Sequence, residues 1–336
     1  MSRLLRLLGV ALLLGCGLAA SARAESWDEV VAAAKKEGTV VVYHAQSGQP
    51  YFLTILKSFE QKYGIQVQQL GFRASELTER VRVEQSSGRH LADLEFHGYP
   101  TIVQQTAAGF IVPHGGVPNA NTLREPFAAT DRAVPVWVQL YGMLVNTRLV
   151  KPEDYPSKWA DLLEPKWKGR ILSDDVRASG AGQVFFTATQ EAYGTPFHEK
   201  LAAQGLVFSR DLRNDARRVA RGEFPLYSPQ AFNNASDLVG LPVRVIVPED
   251  GVPYVLVNAA MLRGAPHPNA ARVLINHFLE LQSQITLGKG WMGYVGKGVA
   301  DHLDDEARRL TGAKLLGTTT VENQQPMLDL AQRIYK

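Results

Sequence analysis

The 336 residues carry 36 lysines and arginines against 33 acids, a formal net charge of +3. Residues 1–24 hold Arg3, Arg6 and Arg23 and no acid, so removing them leaves 33 bases against 33 acids and no overall field for nucleic acid or an anionic membrane. Cys16 is the only cysteine, which excludes disulfides and thiolate metal sites.

The chain opens on an address. Arg3 and Arg6 precede an apolar run from Leu7 to Leu18, and Ala22-Arg23-Ala24 supplies the small residues of a cleavage site, the pattern of a secretory signal peptide over residues 1–24. The run is shorter than the roughly 20 residues a permanent span needs. Leu13-Leu14-Gly15-Cys16 is an alternative lipobox that would make a lipoprotein through Cys16. Cleavage after Ala24 is favoured, because Leu14 is bulky for that motif. The expectation is a periplasmic protein, and the remaining length of about 310 residues suggests two domains.

From residue 25 the elements alternate. Ser26 and Glu29 have capping-box spacing ahead of a helix whose apolar face includes Val30, Val31 and Ala34, with Gly38 as its stop. Thr39 to His44 reads as a buried strand. Phe52, Ile55, Leu56, Phe59 and Tyr63 fall at helical spacing, ended by Gly64. A strand over Ile65–Leu70, a helix over Ser75–Ser87, a strand over Asp93–Phe96 and a helix over Tyr99–Ala108 follow. This alternation predicts an α/β domain with a largely parallel sheet.

Val134 to Val145 is too long for one short strand of that sheet and reads as the crossing into a second lobe. There, a strand over Arg170–Leu172 and the small-residue loop Ser179-Gly180-Ala181-Gly182 lead into a helix with Val184, Phe185 and Ala188. Asn214 is the expected cap of a further helix, ended by Gly222. Arg210, Arg213, Arg217, Arg218 and Arg221 alternate there with Asp211 and Asp215, the pattern of a solvated face. Phe224 to Tyr227 is a strand. Val243–Val247 and Val252–Val257 read as the return crossing. A helix after Pro268 runs along Ala270, Val273, Leu274, His277, Phe278 and Leu281, with His277 at the core edge, and a last helix uses Met327, Leu330, Ala331 and Ile334.

Two α/β lobes joined by extended crossings make a hinge and a cleft. In such lobes ligands sit beyond the carboxyl ends of strands, at helix N-termini. Three loops qualify. The first is Ala45-Gln46-Ser47-Gly48-Gln49. The second is Ser179-Gly180-Ala181, where backbone N–H groups and the helix terminus suit negative charge. The third follows Tyr227 and includes Gln230. Arg177, three residues before Gly180, is placed to pair with an anionic ligand. Tyr43, Tyr227 and Tyr254 offer aromatic walls. His44, Asp93 and His97 lie near strand ends but lack metal-ligand spacing. The sequence holds no GxSxG, HExxH or Walker-type loop, so no enzyme activity and no cofactor are expected.

The chain resembles the extracellular solute-binding proteins of ABC importers, in the subgroup around the ferric-iron-binding proteins. The segments that carry this are Gly38-Thr39-Val40-Val41-Val42-Tyr43, Phe59-Glu60-Gln61-Lys62-Tyr63-Gly64-Ile65, Asn146-Thr147, Trp159-Ala160-Asp161-Leu162 with Lys166-Trp167-Lys168-Gly169-Arg170, Pro248-Glu249-Asp250-Gly251, and Ala265-Pro266-His267-Pro268-Asn269-Ala270-Ala271. The resemblance implies an α/β, two-lobed periplasmic-binding-protein fold (type II) with two hinge crossings. Lobe 1 is expected over residues 25–135 plus 246–283, and lobe 2 over 136–245 plus 284–336. It also implies a monomer that captures a small-molecule ligand and docks to an inner-membrane ABC permease.

The cargo carries over less directly. Iron-binding relatives place adjacent tyrosines after the strand that ends here at Tyr227, where this chain reads Ser228-Pro229-Gln230-Ala231-Phe232. They often supply a histidine from the first loop, here Ser47-Gly48. Some add a carboxylate where this chain has His97-Gly98-Tyr99. Tyr227 and Tyr141 remain as phenolate donors for a ferric alternative. The donor-rich loops favour a small anionic organic solute, with no metal.

Overall fold

The computed structural model describes residues 25–336, apart from the side chains of Leu212 and Arg213. The leader read over residues 1–24, with its Cys16 alternative, lies outside the described residues. The elements are, in chain order, α1 (Trp27–Glu37), β1 (Thr39–His44), α2 (Pro50–Tyr63), β2 (Gln66–Gly71), α3 (Ala74–Ser86), β3 (Leu94–Gly98), α4 (Tyr99–Ala107), β4 (Ile111–Val112), β5 (Val134–Asn146), β6 (Ile171–Asp174), α5 (Ala181–Tyr193), α6 (Thr195–Ala202), β7 (Val207–Ser209), α7 (Leu212–Ala220), β8 (Leu226–Ala231), β9 (Val243–Ile246), β10 (Val252–Leu262), α8 (Pro268–Phe278), α9 (Leu281–Lys289), α10 (Asp305–Thr311), β11 (Leu315–Gly317) and α11 (Gln324–Ile334).

Local chemistry explains the boundaries. Ser26 and Glu29 close a reciprocal capping box on α1, and Gly38 ends that helix in the left-handed conformation at φ 70°. The cap of α7 is Asp211 rather than Asn214; the Asp211 carboxylate accepts the Asn214 N–H at 3.3 Å. Leu281 is not on the α8 face. It starts α9 and is exposed. The arginines of the α7 region meet carboxylates: Arg217 with Asp237, Arg218 with Asp215 and Glu223, and Arg221 with Glu223.

The strands join in the order β2-β1-β3-β10-β5-β8-β6-β7, with β4 and β11 on β10 and β9 on β5. β1 runs parallel to β2 and β3, and β6 parallel to β7 and β8, which gives each lobe its parallel sheet. Between them lie two long antiparallel strands. β5 pairs with β10 up to Leu140, then with β8 from Tyr141 onward. β10 begins beside β11 and finishes beside β3 and β4. These are the two crossings. The segment expected as part of the return, Val243–Val247, instead folds back as β9 onto Met143–Asn146 and stays in the second lobe.

The first lobe centres on Phe52, Phe96, Trp137 and Phe278, whose rings pack with centroids 4.6–6.1 Å apart. The second centres on Trp159, Phe185, Phe186 and His198. His277 packs on Phe59 and lies 2.9 Å from Ser58 Oγ, at the core edge as expected.

Past α8 the chain remains with first-lobe elements. The Gln284 amide donates to the carbonyls of Val136 (2.9 Å) and Phe278 (2.7 Å), and its oxygen accepts from the N–H groups of Val295 (2.8 Å) and Gly296 (3.2 Å). Gly293 exchanges backbone bonds with Val138. Second-lobe packing resumes with β11 and α11 against α5.

Gln284 is fully buried and all four of its bonds go to backbone. Gln284→Leu therefore orphans two carbonyls and two N–H groups. A loss of about 2–4 kcal/mol in urea-unfolding free energy is expected, from a cost of roughly 1–3 kcal/mol per buried unpaired group with partial relaxation. An unchanged unfolding midpoint would refute this account of the tether.

Candidate ligand-binding site

β1 runs parallel to β3 and β6 to β8. β3 ends beside Val257 of β10 and β8 ends beside Tyr141 of β5, so the carboxyl ends of both lobes' strands converge on the middle of the two crossings, with β5 and β10 as floor. The floor is partly apolar: Tyr141, Ala181, Val184 and Ala231 cluster with Val255. A Cβ on Gly98 would stand 3.3 Å from Val255 Cγ1, which sets the end of β3 against the same strand. β10 is buried throughout except at Tyr254, Val255 and Leu256, where it crosses this space. Tyr141 shares the face of Val255, whereas Tyr254, expected as an aromatic wall, is registered with Leu140 and projects from the opposite face.

The first-lobe loop is held by amides. Gly48 takes φ 67°, and the Gln49 N–H closes a turn on Gln46 O at 3.2 Å. Ser47 is exposed and covers Gly71, where any Cβ would strike its Oγ. The Gln49 amide donates to Asn234 Oδ1 at 2.8 Å, bridging this loop to the turn after β8. Asn233 donates to Tyr51 Oη at 2.9 Å, and Tyr51 donates to Gln46 Oε1 at 2.7 Å. Gln139 donates to Asn233 Oδ1 from β5. On a second side, Gln324 accepts from Gln104 of α4 at 3.3 Å through its side chain and from Gln183 of α5 at 2.6 Å through its backbone carbonyl. Uncharged amides thus connect the lobes at both points.

The second-lobe loop is built around Asp174. Its Oδ2 accepts the Gly182 N–H at 2.6 Å, at the start of α5. Gly182 must be glycine, since a Cβ would lie 2.7 Å from Asp174 O. Gly180 has φ 150°, outside ordinary L-residue geometry, and half-opens the Asp174 carboxylate: its absent Cβ would be 3.5 Å from Oδ2. Ser179 is exposed beside it. Burial pushes Asp174 up to about 6, against the Gly182 N–H. Burial and then Asp174 push the Tyr141 phenol up, and the same two causes push Tyr227 well up.

Tyr227, Ser228 and Gln230 of β8 are buried. Tyr227 Oη, Ser228 Oγ and Gln230 Oε1 have no hydrogen-bond partner in the protein. The Gln230 amide is turned onto Ala231 O at 2.6 Å.

Three further expected contributors are directed elsewhere. Tyr43 is buried under α3, where its hydroxyl bonds Glu84 at 3.1–3.2 Å; the side-chain alternation of β1 puts it on the helix side. His97 is held by Thr78 Oγ1 (3.0 Å) and Ala74 O (3.1 Å), and its Nδ1 accepts the Gly98 N–H at 2.8 Å. Arg177 turns back onto Asp175 (2.8 Å) and stacks over Phe208 at 4.6 Å. Asp93, noted near a strand end, caps the Val41 N–H and pairs with His267 at 3.0 Å. Asp174, Tyr51, Gln139, Asn233 and Asn234 were not anticipated. Asp174 was legible as the last residue of the strand feeding the Gly180 loop, and Asn233-Asn234 as the continuation of the Tyr227 loop. Among the described residues, no group of three or more histidines, cysteines or acids is arranged to hold a metal ion.

A family profile described as bacterial extracellular solute-binding protein matches residues 106–313. A protein of Haemophilus influenzae is 24% identical over 291 residues, covering 81% of this chain and 79% of that one. Among solved structures, the periplasmic binding protein AfuA of Actinobacillus pleuropneumoniae, with fructose 6-phosphate bound, superposes with a TM-score of 0.73 at 20% identity, over 87% of this chain and 97% of the other. Iron-bound HitA of Pseudomonas aeruginosa superposes with a TM-score of 0.71 at 19% identity, over 88% and 99%. At these identities the likeness carries the fold, a two-lobed periplasmic-binding-protein architecture.

Burial holds His44 and His97 down to about 4, and both lie within or beside the first-lobe wall. A folded pKa below the unfolded value near 6.5 gives stability that is present above that value and lost as pH falls through about 4. Asp174 and Glu95, pushed up to about 6 and about 8, act with the opposite sign: their contribution is present at low pH and lost as pH rises. His97→Gln keeps an amide donor for Ala74 O and removes one titrating ring. Its Tm should drop less than that of the parent chain between pH 7 and 4.5, read by scanning calorimetry. Parallel Tm curves would show that His97 does not stay neutral in the folded state.

Proposed function

The chain belongs to the family of bacterial extracellular solute-binding proteins, and from that premise we propose that it is the periplasmic capture component of an ABC importer. It closes two lobes on a small organic solute and presents the closed form to an inner-membrane permease. The observation that carries this reading is the pairing of β5 and β10 across both lobes, with partly exposed residues only where they cross between the converging strand ends. Export by the 1–24 leader, a monomeric state and the absence of catalysis are parts of the same proposal. So is the division into lobes, with residues 25–139 and 255–312 in the first and 140–254 and 313–336 in the second. That division moves the crossing boundaries from 135 to 139 and from 246 to 255, where β5 changes partners, and the late boundary from 284 to about 312, because Gln284 and Gly293 bond Val136 and Val138 in the part of β5 paired with β10.

The anionic solute expected from sequence rested on the donor-rich loops at helix N-termini of both lobes, with Arg177 as an added partner. Arg177 is committed to Asp175, and Asp174 already takes the Gly182 N–H. The ferric alternative keeps Tyr141 and Tyr227, in surroundings where burial and Asp174 favour the protonated phenols. Its signature is a tyrosinate-to-iron colour after loading at neutral pH that is lost in Tyr141→Phe or Tyr227→Phe.

Capture between lobes makes two measurable demands. A cognate solute at a hundredfold excess over Kd should add about 2.7 kcal/mol to stability. The radius of gyration from small-angle scattering should fall on binding. A saturating solute that raises Tm with no change in radius of gyration would speak against lobe closure.

A further inference from the structure

We propose that the second lobe recognises an organic cation bearing N–H donors, held by Asp174 with Tyr141 and Tyr227 around it. This rests on the capture reading above and names the chemistry of the same cleft.

The argument begins with charge balance. Three acids sit buried at this end of the second lobe: Asp174, Asp175 and Asp215. Asp175 is paired twice, with Arg177 at 2.8 Å and Arg210 at 2.9 Å. Asp215 is paired on Oδ1 with Arg218 at 3.1 Å, and its Oδ2 has no partner. Asp174 has the Gly182 N–H and no ion pair with any described lysine, arginine or histidine. A buried carboxylate in that condition favours a cation at the place where it opens to the cleft. The opening is Gly180, whose missing side chain leaves Oδ2 approachable.

The second observation is independent of the acids. Tyr227 Oη is fully buried and unpartnered, as is Ser228 Oγ. The Tyr227 phenol lies in the field of Asp174, Asp215 and Tyr141. Buried hydroxyls are ordinarily hydrogen-bonded. Tyr227 and Ser228 project from opposite faces of β8, and it is the Tyr227 hydroxyl, on the strand registered beside β6, that is left free to bond near Asp174. An anion at this spot would meet two carboxylates and have no arginine to offset them, because Arg177 and Arg210 are held on Asp175. An ammonium, amidinium or guanidinium group supplies both the charge and the donors that the cluster lacks. Tyr141 on the floor adds a ring face of the kind that cations favour.

The test uses the purified protein and named probes at pH 7.5: putrescine, agmatine and thiamine on one side, and fructose 6-phosphate, inorganic phosphate and ferric citrate on the other. Thermal shift identifies binders, and calorimetric titration gives Kd. The expected result is binding of at least one cation, weakened tenfold or more in Asp174→Asn and at least threefold in Tyr227→Phe. Asp174 also caps α5, so each variant is first checked for a cooperative melt. If Asp174→Asn does not fold, Tyr227→Phe and Tyr141→Phe decide the matter. Binding confined to the anions or to ferric citrate overturns the cation site and leaves the capture reading standing. Cation binding unchanged in every folded variant overturns it as well. Failure of all six probes, with no small molecule retained in native mass spectrometry, overturns both readings together.

Discussion

Two antiparallel strands belong to both lobes at once, and the rest of the molecule is arranged around that fact. Every backbone N–H and C=O in β5 needs a partner. Its first half finds them on β10 and its second half on β8 and β9. Neither lobe can leave without orphaning a run of buried amides. Rotation that keeps these bonds has to be absorbed where the ladder is already irregular. Register shifts occur between Gly142 and Leu144 and between Val257 and Asn258, close to the passage from one lobe to the other. The same pairing brings the carboxyl ends of β1, β3, β6 and β8 to one space. The cleft is a consequence of the crossings.

That space is lined unevenly. The first lobe contributes neutral amides and a histidine kept uncharged by burial, already engaged with Gln69 and the Gln46 N–H. The second contributes carboxylates and phenols. Amide bridges such as Gln49–Asn234 hold the lobes in register without ionic cost. Each is a hydrogen bond with a net contribution of about 1 kcal/mol, small enough for a ligand to override. The polarity of the site is therefore set almost wholly by the second lobe. Within that lobe it is set by which carboxylate the arginines choose.

Much of the fold was legible in the residues. Phe52, Ile55, Leu56 and Phe59 announced α2, and all four are buried. Val134–Val145 announced a strand too long for one sheet, and β5 spans both. The limits appear where periodicity no longer discriminates. Val243–Val247 has the composition of a crossing strand, but composition does not say which neighbour it pairs with, and β9 folds back on Met143–Asn146. Gln284 sits in an unremarkable helical stretch, and only its four backbone partners reveal a tether. The first two loops do follow strand ends, but the third does not: the residues after Tyr227 that were read as a loop are the body of β8, which runs on to Ala231, and several side chains near the loops point away. Tyr43 follows the alternation of a strand covered on both faces, and from sequence either face was open to it.

By itself the sequence determined the alternation of strands and helices, the first long crossing and the Val252–Val257 part of the second, the caps at Ser26 and Gly38, and the glycine-bearing loops after β1 and β6. These depend on near neighbours along the chain, so spacing and residue type suffice. Only the tertiary structure decided where charge goes. Arg177 stands three residues from Gly180 in sequence, yet it is drawn back by Asp175 and by Phe208, a residue thirty-one positions later. Asp174, its near neighbour, is left buried at the end of β6 with a single N–H and no ion pair. Side-chain direction and ion pairing are settled by partners that meet only on folding, and for that reason the polarity of the site was hidden in the sequence.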